Sequence, residues 1–160
     1  MTVYFAEKIN TPLGVFLIHF SSKGIYEIFF PGNHPAQSYA DGVLPWPQLQ
    51  DDLNRYICGE QVSWADYPLD RDGYTAFMTR LLAAIREIPY GKTWSYRQAA
   101  EKAGHPLAWR AAGNALSLNR HPIIVPCHRV ITSGGRTGGF SGPPGWKDLL
   151  LNLEYSLSVL

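Results

Sequence analysis

The 160-residue sequence has little cysteine, no long apolar run and no strong excess of either charge. Its two cysteines, Cys58 and Cys127, are too few for a disulfide framework or a four-thiolate zinc site, so we expect no metal. No stretch approaches the roughly 18 apolar residues that a membrane span needs. Residues 1–8, MTVYFAEK, lack the basic start and apolar stretch of a secretory signal, so we expect a cytoplasmic, reducing location. The 46% of hydrophobic residues can bury a core in one unit or two small ones.

The net charge of +1 conceals two halves of opposite sign. Residues 1–72 contain four basic and nine acidic side chains, whereas residues 73–160 contain ten basic and four acidic ones. A basic C-terminal half is typical of a surface that contacts phosphates. Attraction between oppositely charged halves explains the split equally well, so charge alone leaves both interpretations open. The stretch 62–73 is irregular and acidic, and we predict a domain boundary there, between domains 1–72 and 73–160.

The first domain is predicted to be a small antiparallel sheet with a helix. Apolar residues alternate or run through 14–30 around the turn sequence SSKG, which indicates a β-hairpin, and residues 4–6 are a candidate third strand. Residues 31–47 hold four prolines and two glycines, which is typical of a loop. Apolar positions at helical spacing then predict a helix over 48–57.

The second domain is predicted to be mostly helical. Apolar positions over 77–88 predict an amphipathic helix that the sequence PYG ends. Ser95 is a candidate N-cap for a short helix over 96–103, and Pro106 is expected at the first position of a third helix over 107–118. Two short helices joined by a glycine-containing turn in the basic half are typical of a helix-turn-helix.

The second helix of this pair combines small residues with one long cation. Residues 108–115, AWRAAGNA, contain four alanines and a glycine around Arg110. Small side chains allow a backbone to approach another surface closely, and Arg110 would then reach into that surface. The alternative is that the small residues pack against a neighbouring helix and that Arg110 is a solvated charge.

The densest chemical cluster is IIVPCHRVI at 123–131, where a thiol, an imidazole and a guanidinium are successive residues of an apolar, β-leaning segment. The thiolate is the nucleophilic form of cysteine, and a neighbouring imidazole or cation lowers the pKa of a thiol. Successive side chains on a strand point to opposite faces, so Cys127 and His128 cannot simply face each other. Either Pro126 breaks the strand into a turn, or a water relays the proton. Inert packing of Cys127 is the ordinary alternative.

These motifs and their flanks resemble the O6-alkylguanine-DNA alkyltransferases over roughly 80 residues. The matching segments, in the family's order, are IPYGKTWSY (88–96), GHP (104–106), RAAGNA (110–115), NRHP (119–122), PCHRV (126–130), GGFSG (138–142) and the tail from Lys147 to Glu154. The resemblance implies an α/β (α+β) fold. Its first part is a small N-terminal antiparallel-sheet domain of RNase H-like layout, and its second is a winged-helix-like domain that holds the helix-turn-helix.

The resemblance also implies repair of DNA by direct transfer of an alkyl group from O6 of guanine to the protein. Cys127 would accept the group, and His128, acting through a water and polarised by Glu154, would accept the thiol proton. Tyr96 would donate a hydrogen bond to guanine N3, and Asn119 would tie the helix-turn-helix to the cysteine segment. Because a thioether is a poor leaving group, each molecule would act once, and no cofactor is expected.

A third implication concerns the DNA. An atom inside a stacked duplex is out of reach, so the nucleotide must be flipped out, and Arg110 would fill the gap. The helix over 107–118 would dock in the minor groove of double-stranded DNA, where contacts carry little sequence information. Further DNA contacts are expected from Arg97, Lys102, His105 and Ser133. The substrate pocket is expected to comprise Val125, whose carbonyl would bind the exocyclic amine, with Val130, Phe140 and Ser141.

Three positions depart from the family's pattern and bear on the range of alkyl groups accepted. Phe140 stands where many members have tyrosine, residues 143–144 place two prolines beside the pocket, and Trp109 replaces a small residue next to Arg110. We expect a monomer that has no membrane partner.

Other classes of protein explain less of the sequence. A DNA-binding protein without chemistry is disfavoured by the cysteine at the acceptor position. A cysteine–histidine hydrolase needs an oxyanion site, which the sequence does not indicate, and has no use for a basic helix-turn-helix. A purely structural partner protein leaves the charge split and the Cys127–His128 pair unexplained.

Overall fold

The hairpin predicted over 14–30 forms, and it makes up one half of a four-stranded sheet. The computed structural model, which describes residues 1–135 and 138–158, has β1 at Phe5–Thr11, β2 at Gly14–Ser21 and β3 at Gly24–Phe29. The predicted third strand is therefore real but longer than 4–6, and it pairs antiparallel with β2 along its whole length. Within the predicted loop, β4 (Ala40–Asp41) adds a short parallel edge beside β1, giving the strand order β3-β2-β1-β4.

Helix α1 (Gln48–Ile57) forms with the predicted bounds and completes the unit Met1–Asp72. It buries Leu49, Leu53 and Tyr56. The sheet buries Phe16, Ile18 and other apolar side chains of β2 and β3. Each large apolar side chain removed from water stabilises the fold by roughly 1.5–3 kcal/mol.

The second unit, Gly73–Leu160, contains the predicted helices in the predicted order. They are α2 (Ala76–Ile85), α3 (Tyr96–Lys102) and α4 (Trp109–Ser117). Ser95 caps α3 as expected: its hydroxyl accepts from the backbone N–H of Gln98 at 3.1 Å, and the Gln98 side chain accepts from the Ser95 N–H at 2.7 Å. This reciprocal pair fixes where α3 begins.

Two helix boundaries differ from the prediction. Helix α2 ends at Ile85, because the next residues tighten into i→i−3 hydrogen bonds before Pro89, whose ring disfavours helical geometry in the residue before it. Helix α4 begins at Trp109, so the expected place of Pro106 at its first position is wrong. Pro106 instead lies in a turn closed by a 2.9 Å hydrogen bond from the Ala108 N–H to the His105 carbonyl.

The apolar segment 123–131 is a strand only at its end. Ile123 has a φ of 74°, which β-branched residues rarely adopt, and Pro126 precedes a single 3₁₀ turn over Cys127–Arg129. Strand β6 (Val130–Ile131) then pairs in parallel with β5 (Trp94–Ser95). The turn thus lies at the start of the strand that adjoins α3.

Helix α5 (Trp146–Ser158) follows the cysteine segment and contacts the turn. The prediction of a mixed α/β fold, with an antiparallel sheet and a helical part, is confirmed. None of the helices within 1–135 and 138–158 is long and apolar enough to span a membrane.

Candidate active site

The Cys127 thiol is buried at the start of the 3₁₀ turn, with 3% of the residue exposed. Its sulfur lies 3.7 Å from Ser141 Oγ. Burial raises the pKa of the thiol, while hydrogen bonds with Asn119 and Ser141 and the charge of Lys147 oppose that shift. The thiol is therefore protonated at neutral pH, and a nucleophilic role requires a base.

A candidate base is the next residue, His128, which is fully buried and bound through Nε2 to Glu154 Oε2. Arg129 Nε donates to the other carboxylate oxygen, Oε1, at 2.7 Å, and its NH1 donates to the Ile88 carbonyl at 2.8 Å. Burial, together with the charge of Arg129, lowers the pKa of His128 despite the attraction of Glu154. Burial also disfavours the charged form of Glu154, but its bonds with His128 and Arg129 prevail and lower its pKa to about 2.

The protonation state of this pair determines which nitrogen can take a proton. An ionised carboxylate only accepts hydrogen bonds, so His128 must carry its proton on Nε2, the nitrogen that faces Glu154. The other nitrogen, Nδ1, then has a lone pair. Glu154 therefore holds a neutral imidazole on the same turn as the thiol, in the state that a general base needs.

Tyr96 begins α3 and is placed by close contacts with glycine. Its hydroxyl donates to the Gly139 carbonyl at 3.2 Å, and a side chain on Gly138 would stand 2.6 Å from the same hydroxyl. Burial raises the pKa of Tyr96, although the Gly139 bond opposes the shift, so the phenol stays protonated and able to donate.

Lys147 is a buried residue of this site to which sequence reasoning assigned no role. Its Nζ donates to the carbonyls of Val130 at 2.6 Å and Gly139 at 2.9 Å, and lies 5.6 Å from the centre of the Tyr96 ring. Burial lowers its pKa to about 8, against the attraction of Cys127. A lysine on an amphipathic helix is usually solvated, so only its place in the matching tail marked it.

Asn119 connects the end of α4 to the cysteine segment. Its Oδ1 accepts from the His121 N–H at 2.9 Å, and its Nδ2 donates to the Val125 carbonyl at 3.1 Å. That carbonyl also accepts from the Cys127 N–H at 2.7 Å. Both of its lone pairs are used, so the predicted binding of a guanine amine by the Val125 carbonyl does not fit this arrangement.

The remaining pocket residues lie around the thiol as follows. Val130 is fully buried, and its carbonyl is the Lys147 acceptor described above. Ser141 is half-buried and faces the thiol, and Phe140 beside it is half-buried. No three His, Cys, Asp or Glu side chains within 1–135 and 138–158 are grouped as metal ligands would be.

Residues 76–156 match the protein family described as 6-O-methylguanine DNA methyltransferase, DNA binding domain. The chain belongs to this family. A methylated-DNA–protein-cysteine methyltransferase of Methanosarcina barkeri is 35% identical over 150 residues, which is 91% of this chain and 94% of that protein. A protein of Thermus thermophilus named DNA base-flipping protein is 36% identical over 149 residues, 93% of this chain and 99% of its own length.

Solved structures of the family agree in fold. The crystal structure of Mycobacterium tuberculosis O6-methylguanine methyltransferase is 32% identical, with a TM-score of 0.84 over 96% of this chain and 94% of that one. The crystal structure of the Mycobacterium tuberculosis protein OGT in complex with DNA has a TM-score of 0.82 at 33% identity, over 96% and 92% of the two chains.

In this methyltransferase the small residues of α4 divide between two faces. Ala112 and Ala115 are buried, so part of the pattern is ordinary helix packing. Arg110, Ala111 and Asn114 are exposed, so α4 also has an exposed face. The small side chain of Ala111 on this face would allow another molecule to approach the helix backbone closely. Helix packing therefore explains one face of α4, and close approach of another surface stays a prediction for the other.

The predicted DNA-contacting side chains differ in exposure. Those that are exposed are Arg97, Lys102, Arg110 and Ser133. The Arg110 guanidinium lies 5.0 Å from the centre of the Trp109 ring. His105 is partly buried, and its ring packs edge-on against Phe77 of α2 at 5.3 Å, so its contacts are those of a packing residue.

Proposed function

We propose that Cys127 is the alkyl acceptor of this methyltransferase. The protein is a single-turnover enzyme of DNA repair, which transfers an alkyl group from O6-alkylguanine in DNA directly to one of its own cysteines. The observation that carries the assignment is the buried thiol on the same turn as His128, whose ring is bound to an ionised carboxylate. The other cysteine, Cys58, is exposed at the end of α1 in the acidic unit.

The reaction requires that the thiol lose its proton as the sulfur attacks. His128 Nδ1 accepts that proton through a water, with Glu154 stabilising the imidazolium that forms. The sulfur attacks the alkyl carbon on the side opposite O6, a carbon–sulfur bond forms, and the electrons of the broken carbon–oxygen bond go to the guanine. Asn119 Nδ2 and Lys147 favour the thiolate while it exists.

The departing guanine would be expelled as an anion unless a donor met it. Tyr96 is the proposed donor, to guanine N3, and the raised pKa that keeps its phenol protonated supports this role. The hydroxyl would exchange the Gly139 carbonyl, in the glycine loop of residues 138–142, for the guanine, and Gly139 would keep its bond with Lys147. Lys147 supports the same wall of the pocket, because it ties the loop carbonyl of Gly139 to that of Val130. Phe140 and Ser141 would complete the pocket around O6.

DNA is the partner of this chain, and we propose that α4 meets duplex DNA in the minor groove. The exposed face of α4 has small residues around Arg110, which would occupy the place of the flipped nucleotide. Arg97, Lys102 and Ser133 would contact phosphates. His105 would act there only if its ring left Phe77.

The proposal includes no cofactor, because the thiol, the base and the leaving-group donor are all side chains. It takes the protein to be a monomer in the cytoplasm, where Cys127 stays reduced between synthesis and its one reaction. Methylated Cys127 is a thioether, which water does not cleave, so the molecule is spent afterwards.

Two cysteine variants test the assignment. Cys127→Ser should abolish transfer of a labelled methyl group from duplex O6-methylguanine to protein, because serine is not ionised by an imidazole to a comparable nucleophile. It should still bind the duplex. Cys58→Ser, the matched control, should transfer one methyl group per molecule at the wild-type rate. Transfer by Cys127→Ser, or its loss in Cys58→Ser, would contradict the assignment.

A further inference from the structure

A second hydrogen-bonded cluster adjoins the cysteine segment. Its members are Tyr74, just before α2, and Arg120 and His121, just after α4. The Tyr74 hydroxyl accepts a hydrogen bond from the Arg120 backbone N–H at 2.8 Å and lies 2.9 Å from His121 Nδ1. The Arg120 guanidinium covers the Tyr74 ring at 4.2 Å, and His121 is fully buried. Tyr74 lies outside the residues that match the family, 76–156.

The Tyr74 hydroxyl makes two hydrogen bonds at once. Its oxygen accepts from the backbone N–H of Arg120. Its second bond, to His121 Nδ1, holds in either tautomer of the ring: the hydroxyl donates when Nδ1 has the lone pair and accepts when Nδ1 has the proton. One hydroxyl group thus orients the His121 ring.

The Asn119 amide is oriented by the backbone of His121. The backbone N–H of His121 donates to Asn119 Oδ1 at 2.9 Å, which leaves Asn119 Nδ2 directed at the Val125 carbonyl and the Cys127 thiol. Tyr74 acts on this amide by holding the backbone in place, through the Arg120 N–H and the His121 ring. The two ends of an asparagine amide have nearly the same shape, so only its hydrogen-bond partners decide which end faces the sulfur. With the amide reversed, an oxygen lone pair would oppose the thiolate.

The same loop holds a strained residue, which increases the need for a fixed anchor. Ile123 is buried with a φ of 74°. The His121 carbonyl accepts the Val125 N–H at 2.8 Å across this residue. A β-branched residue persists in this conformation only where the surroundings hold it. His121 supplies such a hold through its backbone, and Tyr74 holds His121 through its side chain.

We propose that Tyr74 is a positioning residue for alkyl transfer: through His121, its hydroxyl keeps the Asn119 N–H directed at the Cys127 thiol. This inference rests on the proposed role of Cys127 and extends it to a residue outside the family's motifs. Tyr74 touches neither the substrate nor the sulfur.

The test measures how fast free O6-benzylguanine alkylates Cys127 between pH 5.5 and 9, read by peptide mass. In Tyr74→Phe, which keeps the ring, the rate at pH 7 should fall about threefold to tenfold, the effect of one lost hydrogen bond. The acid limb of the pH profile should move to higher pH, because the thiolate is less stabilised. The titratable groups around the thiol, His128, Lys147 and Tyr96, are unchanged in every variant.

A matched control is Tyr67→Phe in the first unit, where the hydroxyl donates to Asp52 at 2.6 Å. It removes one buried hydroxyl bond of the same kind, so it should lower the melting temperature without moving the pH profile. His121→Leu should reproduce part of the loss seen in Tyr74→Phe. In the double variant the two losses should be less than additive, because the Tyr74 hydroxyl can then lose only its bond with the Arg120 N–H. His121→Asn, which places an acceptor oxygen near the position of Nδ1, should retain most of the rate.

A Tyr74→Phe protein with the wild-type rate and pH profile, whatever its melting temperature, would overturn the inference. So would additive losses in the double variant. If Tyr74→Phe fails to fold, the comparison of His121→Asn with His121→Leu decides, and equal rates for these two count against it. Absence of a Cys127 adduct in the wild-type protein would instead overturn the proposed function, and this inference with it.

Discussion

Glu154 shows how one buried charge sets the state of its neighbours. A carboxylate that is 1% exposed stays ionised only if partners compensate for the lost water, and Arg129 and His128 do so here. Because Arg129 supplies the balancing positive charge, His128 does not have to. The imidazole therefore remains neutral, as its proposed role of base requires.

Replacing Glu154 by glutamine tests this arrangement. Without the negative charge, nothing obliges His128 to carry its proton on Nε2 or stabilises it once protonated. We expect Glu154→Gln to slow alkyl transfer about 100-fold in single-turnover measurements, within the range of general-base effects. Glu87→Gln, an exposed glutamate at the end of α2, should react at the wild-type rate. Equal rates for both variants would remove Glu154 from the mechanism.

The lowered pKa of Glu154 also predicts a pH dependence of stability. The pKa falls from 4.5 to about 2 on folding, so the folded state is favoured above pH 4.5 and loses that advantage as pH falls towards 2. The gain is on the order of 3 kcal/mol. The unfolding free energies of wild type and Glu154→Gln, measured in urea, should therefore differ most at pH 7, and the difference should shrink steadily from pH 4.5 down towards pH 2. If the difference in unfolding free energy between the two proteins does not change with pH, Glu154 is not ionised in the folded protein.

Single residues differ in how far the sequence could predict them. The pair Cys127–His128 can be found in the sequence because a thiol and an imidazole are adjacent there. Pro126 correctly indicates that these two residues lie on a turn instead of a strand. Lys147 was not predicted, since its burial depends on which face of α5 meets the turn. Tyr74 was not predicted either, because its partner is 47 residues away.

Among the elements, α4 has the exposed face that we propose contacts DNA, and Arg110 is the long cation of that face. Arg110→Ala should slow repair of duplex O6-methylguanine at least tenfold, the effect of losing a few kcal/mol of compensation for unstacking. It should leave the reaction with free O6-benzylguanine unchanged, because a free base leaves no gap to fill. Single-turnover rates on the two substrates give the comparison. Equal losses on both would refute this role for Arg110.

The glycine loop before α5 offers a second test at this scale. Gly138 has a φ of 72°, and a methyl group there would lie 2.6 Å from the Tyr96 hydroxyl. Gly138→Ala should therefore displace Tyr96 and slow reaction with both duplex and free base about tenfold or more. Gly135, which has a φ of 80° and where a methyl group meets nothing within 4 Å, is the matched control for backbone strain. If Gly135→Ala is equally slow, displacement of Tyr96 is not the cause.

Elements with a long pattern were predicted and short ones were not. The hairpin, α1 and the capped start of α3 follow from alternation, helical spacing and Ser95. Strand pairs of two residues, such as β5 with β6, have no pattern of their own and depend on the tertiary fold. The start of α4 also depends on the tertiary fold. Residues 107 and 108 would suit a helix, but they belong to the turn at Pro106, so α4 begins only at Trp109.

At the scale of the whole molecule, the charge split predicts how DNA binding depends on salt. The chain from residue 73 onward has ten basic and four acidic residues, as a phosphate-contacting unit needs. Duplex affinity should fall steeply with salt, and Arg97→Gln should reduce the slope of log K against log salt by about 0.9, one phosphate contact. Lys8→Gln, an equal charge change on an exposed residue of β1, should leave the slope unaltered. A flat salt response would contradict a phosphate-based interface.

Family and fold class were within reach of the sequence because several motifs fall in a fixed order along the second unit. The first unit has none of the motifs that carry the resemblance, yet the relatives align with more than nine tenths of the chain and the structural likeness extends over 96% of it. Packing of apolar side chains tolerates much substitution, whereas the chemistry of the cysteine turn does not. That difference explains why the second unit was recognised and the first was not.

The most direct test is the mass of the intact protein, and of its peptides, after incubation with excess duplex containing one O6-methylguanine. The account predicts a gain of one methyl group per molecule, located on the peptide that contains Cys127, with no further gain on longer incubation. A methyl group on another residue, or tight duplex binding with no adduct at all, would contradict it.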